Sequence, residues 1–89
     1  MPYITSILRE KWYTLVQTIK ASIQGSHVGE LNYLLTKTCN AWLNDKGKNY
    51  ENINAVIGAL ECAKLEYYMR IARPYEDDKI RENGDVYEI

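Results

Sequence analysis

Apolar residues recur at three- and four-residue spacing through most of this chain, and the pattern breaks at three points. Leu8, Trp12, Leu15, Val16, Ile19 and Ile23 form the first stripe, the signature of a helix with one buried face. Thr5 or Ser6 supplies a cap for it, and Gln24-Gly25-Ser26 ends it. The second stripe is Leu31, Leu34, Leu35, Thr38, Cys39 and Trp42. It predicts a helix that begins between Ser26 and Glu30 and closes at the turn formers Asn44-Asp45-Lys46-Gly47-Lys48-Asn49. The third is the longest, from about Glu51 to Arg73, with Asn49 or Asn52 as its cap. Its main face is Ile53, Val56, Ile57, Leu60, Ala63, Tyr67, Tyr68 and Ile71. Within it Gly58, Ala59, Cys62 and Ala63 leave a strip of little bulk. An interior helical glycine costs ~1 kcal/mol relative to alanine, so the strip predicts close approach by another helix.

Pro74 should stop or restart that helix, because proline has no amide hydrogen and its ring crowds the preceding turn. The segment 74–89 is dense in charge, yet Tyr75, Ile80, Val86 and Tyr87 are spaced through it as anchors. A merely solvating tail has no use for such residues. The expectation is a packed C-terminal extension, laid over the body or over a neighbouring subunit. Glu76, Asp77 and Asp78 are expected in a first helical turn after Pro74, where free amides favour acids. The single strand candidate is Asp85–Ile89, after the Asn83-Gly84 turn signal.

These elements give an all-α fold: a three-helix or helical-hairpin assembly with an ordered C-terminal tail, one domain over residues 1–89. Chains this short have a thin stability margin, and three amphipathic helices present more apolar surface than one small core covers. A homo-oligomer is therefore expected, with a monomeric three-helix bundle as the alternative. Eight tyrosines, two tryptophans and no phenylalanine suit half-buried positions and interfaces.

Charge adds an asymmetry. Residues 1–75 carry nine Lys/Arg against six Asp/Glu, and residues 76–89 carry two against six. An acidic end can pair with a mildly basic body, in the same chain or the next. The body is not basic enough to signal general nucleic-acid binding. No stretch approaches the ~20 apolar residues of a membrane helix, and the start lacks the features of a secretion signal. A reducing cytoplasm is the default, with Cys39 and Cys62 free and at least one of them buried.

No catalytic site is expected. His27 lies in an apparent turn and the two cysteines are 23 positions apart, which is no zinc spacing. The tail acids lack the pattern of a calcium loop, so no metal and no cofactor are assigned. The cysteines sit in apolar helical surroundings, where a thiol is inert. A binding surface has a better physical basis. Lys64, Tyr67, Tyr68, Arg70 and Arg73 cluster near the third helix's end; tyrosines stack on bases while lysine and arginine engage phosphates. An anionic nucleotide would suit them, especially where two subunits meet. The alternative is that Arg70 and Arg73 pair with Glu66, Glu76 or Asp77.

Gly29-Glu30-Leu31-Asn32-Tyr33, the helix from Asn54 to Tyr68 and the tail from Pro74 to Tyr87 together resemble a family of small uncharacterised proteins of tailed bacteriophages and prophages. The resemblance covers roughly residues 29–87. It implies a phage or prophage gene acting in the cytoplasm of a bacterial host, and carries no activity or catalytic residue. The expected function is a non-enzymatic accessory protein that binds a host protein, such as a defence component. The alternatives are an oligomeric sponge for a nucleotide second messenger and a structural protein of the virion or its packaging.

Overall fold

The computed structural model describes residues 1–88. They are all-helical, and no strand occurs among them. The chain divides into two units, Pro2–Val56 and the residues from Ile57 onward.

In the first unit, α1 spans Ser6–Ser22 and α2 spans Val28–Lys46. Thr5 caps α1, its hydroxyl accepting the Leu8 amide hydrogen at 3.5 Å. The helix ends as the stripe does, and Gly25 takes φ 74°, a left-handed conformation that glycine adopts without strain. His27, expected only in a turn, is the cap of α2. Its Nδ1 accepts from the Gly29 amide at 3.0 Å, and the Glu30 carboxylate accepts from the His27 amide at 2.8 Å. This reciprocal arrangement satisfies two of the amides a helix start leaves free. Gly29 makes room for it: a Cβ there would lie 2.8 Å from His27 Cε1.

The next corner is built from asparagine. Gly47 ends α2 at φ 109°, and α3 follows over Tyr50–Tyr67. Asn49 caps α3, its Oδ1 accepting from the Asn52 amide at 2.8 Å. Asn52 in turn donates through Nδ2 to the carbonyls of Gly47, at 2.9 Å, and Lys46, at 3.3 Å. One part-buried side chain thus holds two of α2's final carbonyls against the first turn of α3. Leu43, Ile53 and Val56 are half-buried at this corner.

The second unit corrects the expected helix end. After Tyr67 the chain makes a π-helical turn, Tyr68–Ala72, and runs directly into α4, Arg73–Asn83. Pro74 therefore bends a long helix without stopping it. In a regular α-helix the proline ring would meet the carbonyl four residues back. Widening the preceding turn moves that carbonyl away, and the Arg73 amide reaches back five residues to Tyr68 O. Most of the extension foreseen as a tail, residues 74–83, is consequently helix. Gly84 caps it at φ 89°. Asp85–Glu88 form no strand; Ile89, the last residue of that candidate, lies outside the described residues.

Burial departs furthest from expectation. None of the described residues is buried; the best covered, such as Ile19, Leu34, Cys39 and Ile53, are only half-buried. Trp12 is 46% exposed and Leu15 50%, although both belong to the stripe that should face a core. The expected neighbour of Gly58 is also missing, since a Cβ there would meet nothing within 4 Å. Cys39 and Cys62 are unbridged, the first half-buried and the second exposed, so the expected buried thiol is not found.

Candidate functional site

The five residues singled out for ligand contact are separated by the π turn. A regular helix places residue 72 beneath residue 68; one inserted residue places Arg73 there instead. Tyr68 and Arg73 accordingly line one open cleft of about 530 Å³, with Glu76, Lys79, Ile80 and Asn83 continuing the face along α4. Lys64, Tyr67 and Arg70 are not part of its lining.

The cleft's other wall is the chain end. Gly84 turns the backbone out of the helix, its amide still bonded to Ile80 O at 2.9 Å. Asp85 then forms a side-chain turn by accepting the Tyr87 amide hydrogen at 2.9 Å. That sends Val86 and Tyr87 back along α4, where they line the cleft opposite Tyr68 and Ile80. The anchors thus meet their own helix, but none is buried: Ile80 is 38% exposed, Tyr75 59%, Tyr87 75% and Val86 85%. Within one chain these anchors form an open wall of the cleft.

Electrostatics here are local. Arg73 donates through Nε and Nη2 to Asp77 Oδ1, at 3.0 and 2.7 Å, which is one of the pairings foreseen for it. Lys64 pairs with Glu61 at 3.1 Å, Lys79 with Glu82 at 3.1 Å, and Arg81 with Asp78. Asp77 and Asp78 therefore pair with side chains one turn away. They do not cap free amides, because the helix never breaks to expose any. Lys79 also lies 5.4 Å from the Tyr75 ring centre. With two cations and two acids on its wall (Arg73, Lys79, Glu76 and Asp85) the cleft is charge-balanced. Each cation already has a carboxylate partner, so an incoming phosphate would have to compete for it.

Lys79, Glu76, Asn83 and Asp85 were not among the sequence candidates. The Asn83-Gly84 turn signal was legible beside the last two of these. The face shared by Arg73, Glu76 and Lys79 with Tyr68 was not, because it depends on the extra residue in the π turn.

A second depression lies in the first unit. A groove of about 290 Å³ runs between α1 and α2, lined by Leu15, Ile19 and Ile23 on one side and Leu34 on the other. Its remaining lining is small or polar: Thr18, Ser22, Ser26 and Glu30. Among the described residues no group of three potential ligands is placed to hold a metal ion. No helix among the described residues is long and apolar enough to cross a membrane.

The fold and these shallow concavities define a small all-helical protein with accessible apolar side chains. The chain belongs to the family described as a domain of unknown function (DUF6899), whose model matches residues 1–86. No curated protein and no solved structure matches the chain.

Proposed function

We propose that this protein acts by binding another macromolecule through its apolar helical faces, without catalysing a reaction. One observation carries the reading. None of the described residues is buried, and residues of the apolar stripes such as Trp12, at 46%, and Leu15, at 50%, stay exposed. Large contiguous apolar exposure on a soluble chain marks an interaction surface. Enzyme sites need charged groups held in a desolvated pocket, and here the charged groups pair on open surface.

The phage setting implied by the resemblance makes a host protein, such as a defence component, the partner of choice. The nucleotide-sponge reading keeps Tyr68, Tyr87 and Arg73 as a stacking and phosphate-binding set, on condition that Arg73 leaves Asp77. Native mass spectrometry of the protein purified from infected cells tests the proposal. A retained protein partner or an unchanged bound nucleotide fits binding. Time-dependent turnover of mono-, di- or cyclic nucleotides by the pure protein would overturn it.

A further inference from the structure

We infer that the cleft along α4 receives an arginine side chain of a partner protein, its guanidinium set between the rings of Tyr68 and Tyr87 and paired with the carboxylates of Glu76 and Asp85. The inference rests on the binding function proposed above and gives one contact of that partner its chemistry. All the lining residues fall between Tyr68 and Tyr87, inside one unit of the chain, so the site needs nothing from α1 or α2. Its charges balance by count but not by pairing. Arg73 is held by Asp77 and Lys79 by Glu82, two acids that do not line the cleft. Glu76 lies three residues from each of these cations, yet among the described residues it has no ion pair and no hydrogen bond from its carboxylate. Asp85 accepts the Tyr87 amide hydrogen at Oδ1, which leaves Oδ2 open. The unanswered charge in the cleft is therefore negative.

Charge and ring faces agree on a cation. Residues 73–89 carry three basic side chains against six acidic ones, a field that draws cations and repels phosphates. A phosphate would first have to displace Asp77 or Glu82, whereas a cation meets two carboxylates that no other side chain neutralises. Tyr75 already has Lys79 over its ring, but among the described residues no cation lies over Tyr68 or Tyr87. Both rings are accessible, at 52% and 75% exposure. A guanidinium uses both features, being flat enough to stack on a ring and forked to meet a carboxylate. The openness of the cleft selects a polypeptide as the source of that group. An exposed ion pair alone gives only weak affinity, so a free amine would not be retained. A chain segment also lays apolar side chains on Ile80 and Val86, which line the same cleft.

The experiment titrates the full isotope-labelled chain with a synthetic peptide, acetyl-Ala-Leu-Arg-Leu-Ala-amide, and with the same peptide carrying neutral citrulline in place of arginine, following amide chemical shifts. The expected result is saturable shifts confined to residues 68–87 with millimolar arginine peptide, weakened by salt, and none with the citrulline peptide. Glu76→Gln combined with Asp85→Asn should weaken binding by about tenfold. Asparagine keeps the side-chain turn at 85, and the spectrum outside the cleft reports whether the variant folds. Asp78→Asn combined with Glu88→Gln removes the same charge outside the lining and should leave the affinity unchanged. Absence of arginine-dependent shifts overturns the inference, as do equal shifts with citrulline or an equal loss in the two double variants. Spermidine binding as tightly as the peptide, or adenosine monophosphate shifting the same residues more strongly, overturns it in favour of a free amine or an anion. If the first double variant misfolds, the arginine–citrulline comparison on the unaltered chain decides alone. Failure leaves the binding function standing, because α1 and α2 take no part in the cleft; nucleotide turnover overturns that function without touching the peptide result.

Discussion

Replacing Gly58 by alanine isolates one physical effect. The residue lies within α3, at negative φ, and a Cβ built on it meets no atom within 4 Å. The new methyl therefore adds no strain and fills no cavity. What changes is the backbone: alanine loses less conformational freedom on folding than glycine, a difference of roughly 0.8–1 kcal/mol in a helix interior. Unfolding entropy near ~2.1 cal/mol/K per residue gives roughly 0.19 kcal/mol/K for this chain, so the melting temperature should rise by about 5 °C. Circular dichroism at 222 nm, with both proteins at one fixed concentration, measures it. A fall in melting temperature would refute the reasoning. It would mean that Gly58 packs against another molecule, as its small neighbours Ala59, Cys62 and Ala63 suggested on sequence grounds.

Three further outcomes follow from particular contacts. Asn52→Ala loses both bonds to the Lys46 and Gly47 carbonyls and should cost about 1–2 kcal/mol in urea unfolding; Asn52→Asp, which sets an acceptor against two acceptors, should cost more. Pro74→Ala restores a backbone donor and removes the reason for the π turn, so helicity should increase and stability rise by roughly 1–3 kcal/mol. Cross-relaxation between Tyr68 and Arg73 should then weaken, and an unchanged spectrum would show that something other than the proline holds the turn. Ending the chain after Asn83 removes side chains that are mostly exposed and should cost less than about 1 kcal/mol, with the oligomeric mass retained. A loss of several kcal/mol would mean that Val86 and Tyr87 pack against a neighbouring copy.

Local order was legible in the residues themselves. The stripe from Leu8 to Ile23 marks a helix because only the 3.6-residue period gathers those side chains on one face. Thr5, Asn49 and the glycines at 25, 47 and 84 mark ends because their side chains, or lack of one, satisfy or release the backbone there. What lay beyond reach depends on more distant relations. Pro74 forbids one amide bond, but whether the helix stops or widens is settled by the continuous run on both sides of it, and that choice moved Arg73 into line with Tyr68. Periodicity likewise says which face of α1 avoids water without saying what it meets. The tertiary structure leaves that face half uncovered within one chain, because two helical stripes side by side can shield only their shared edge.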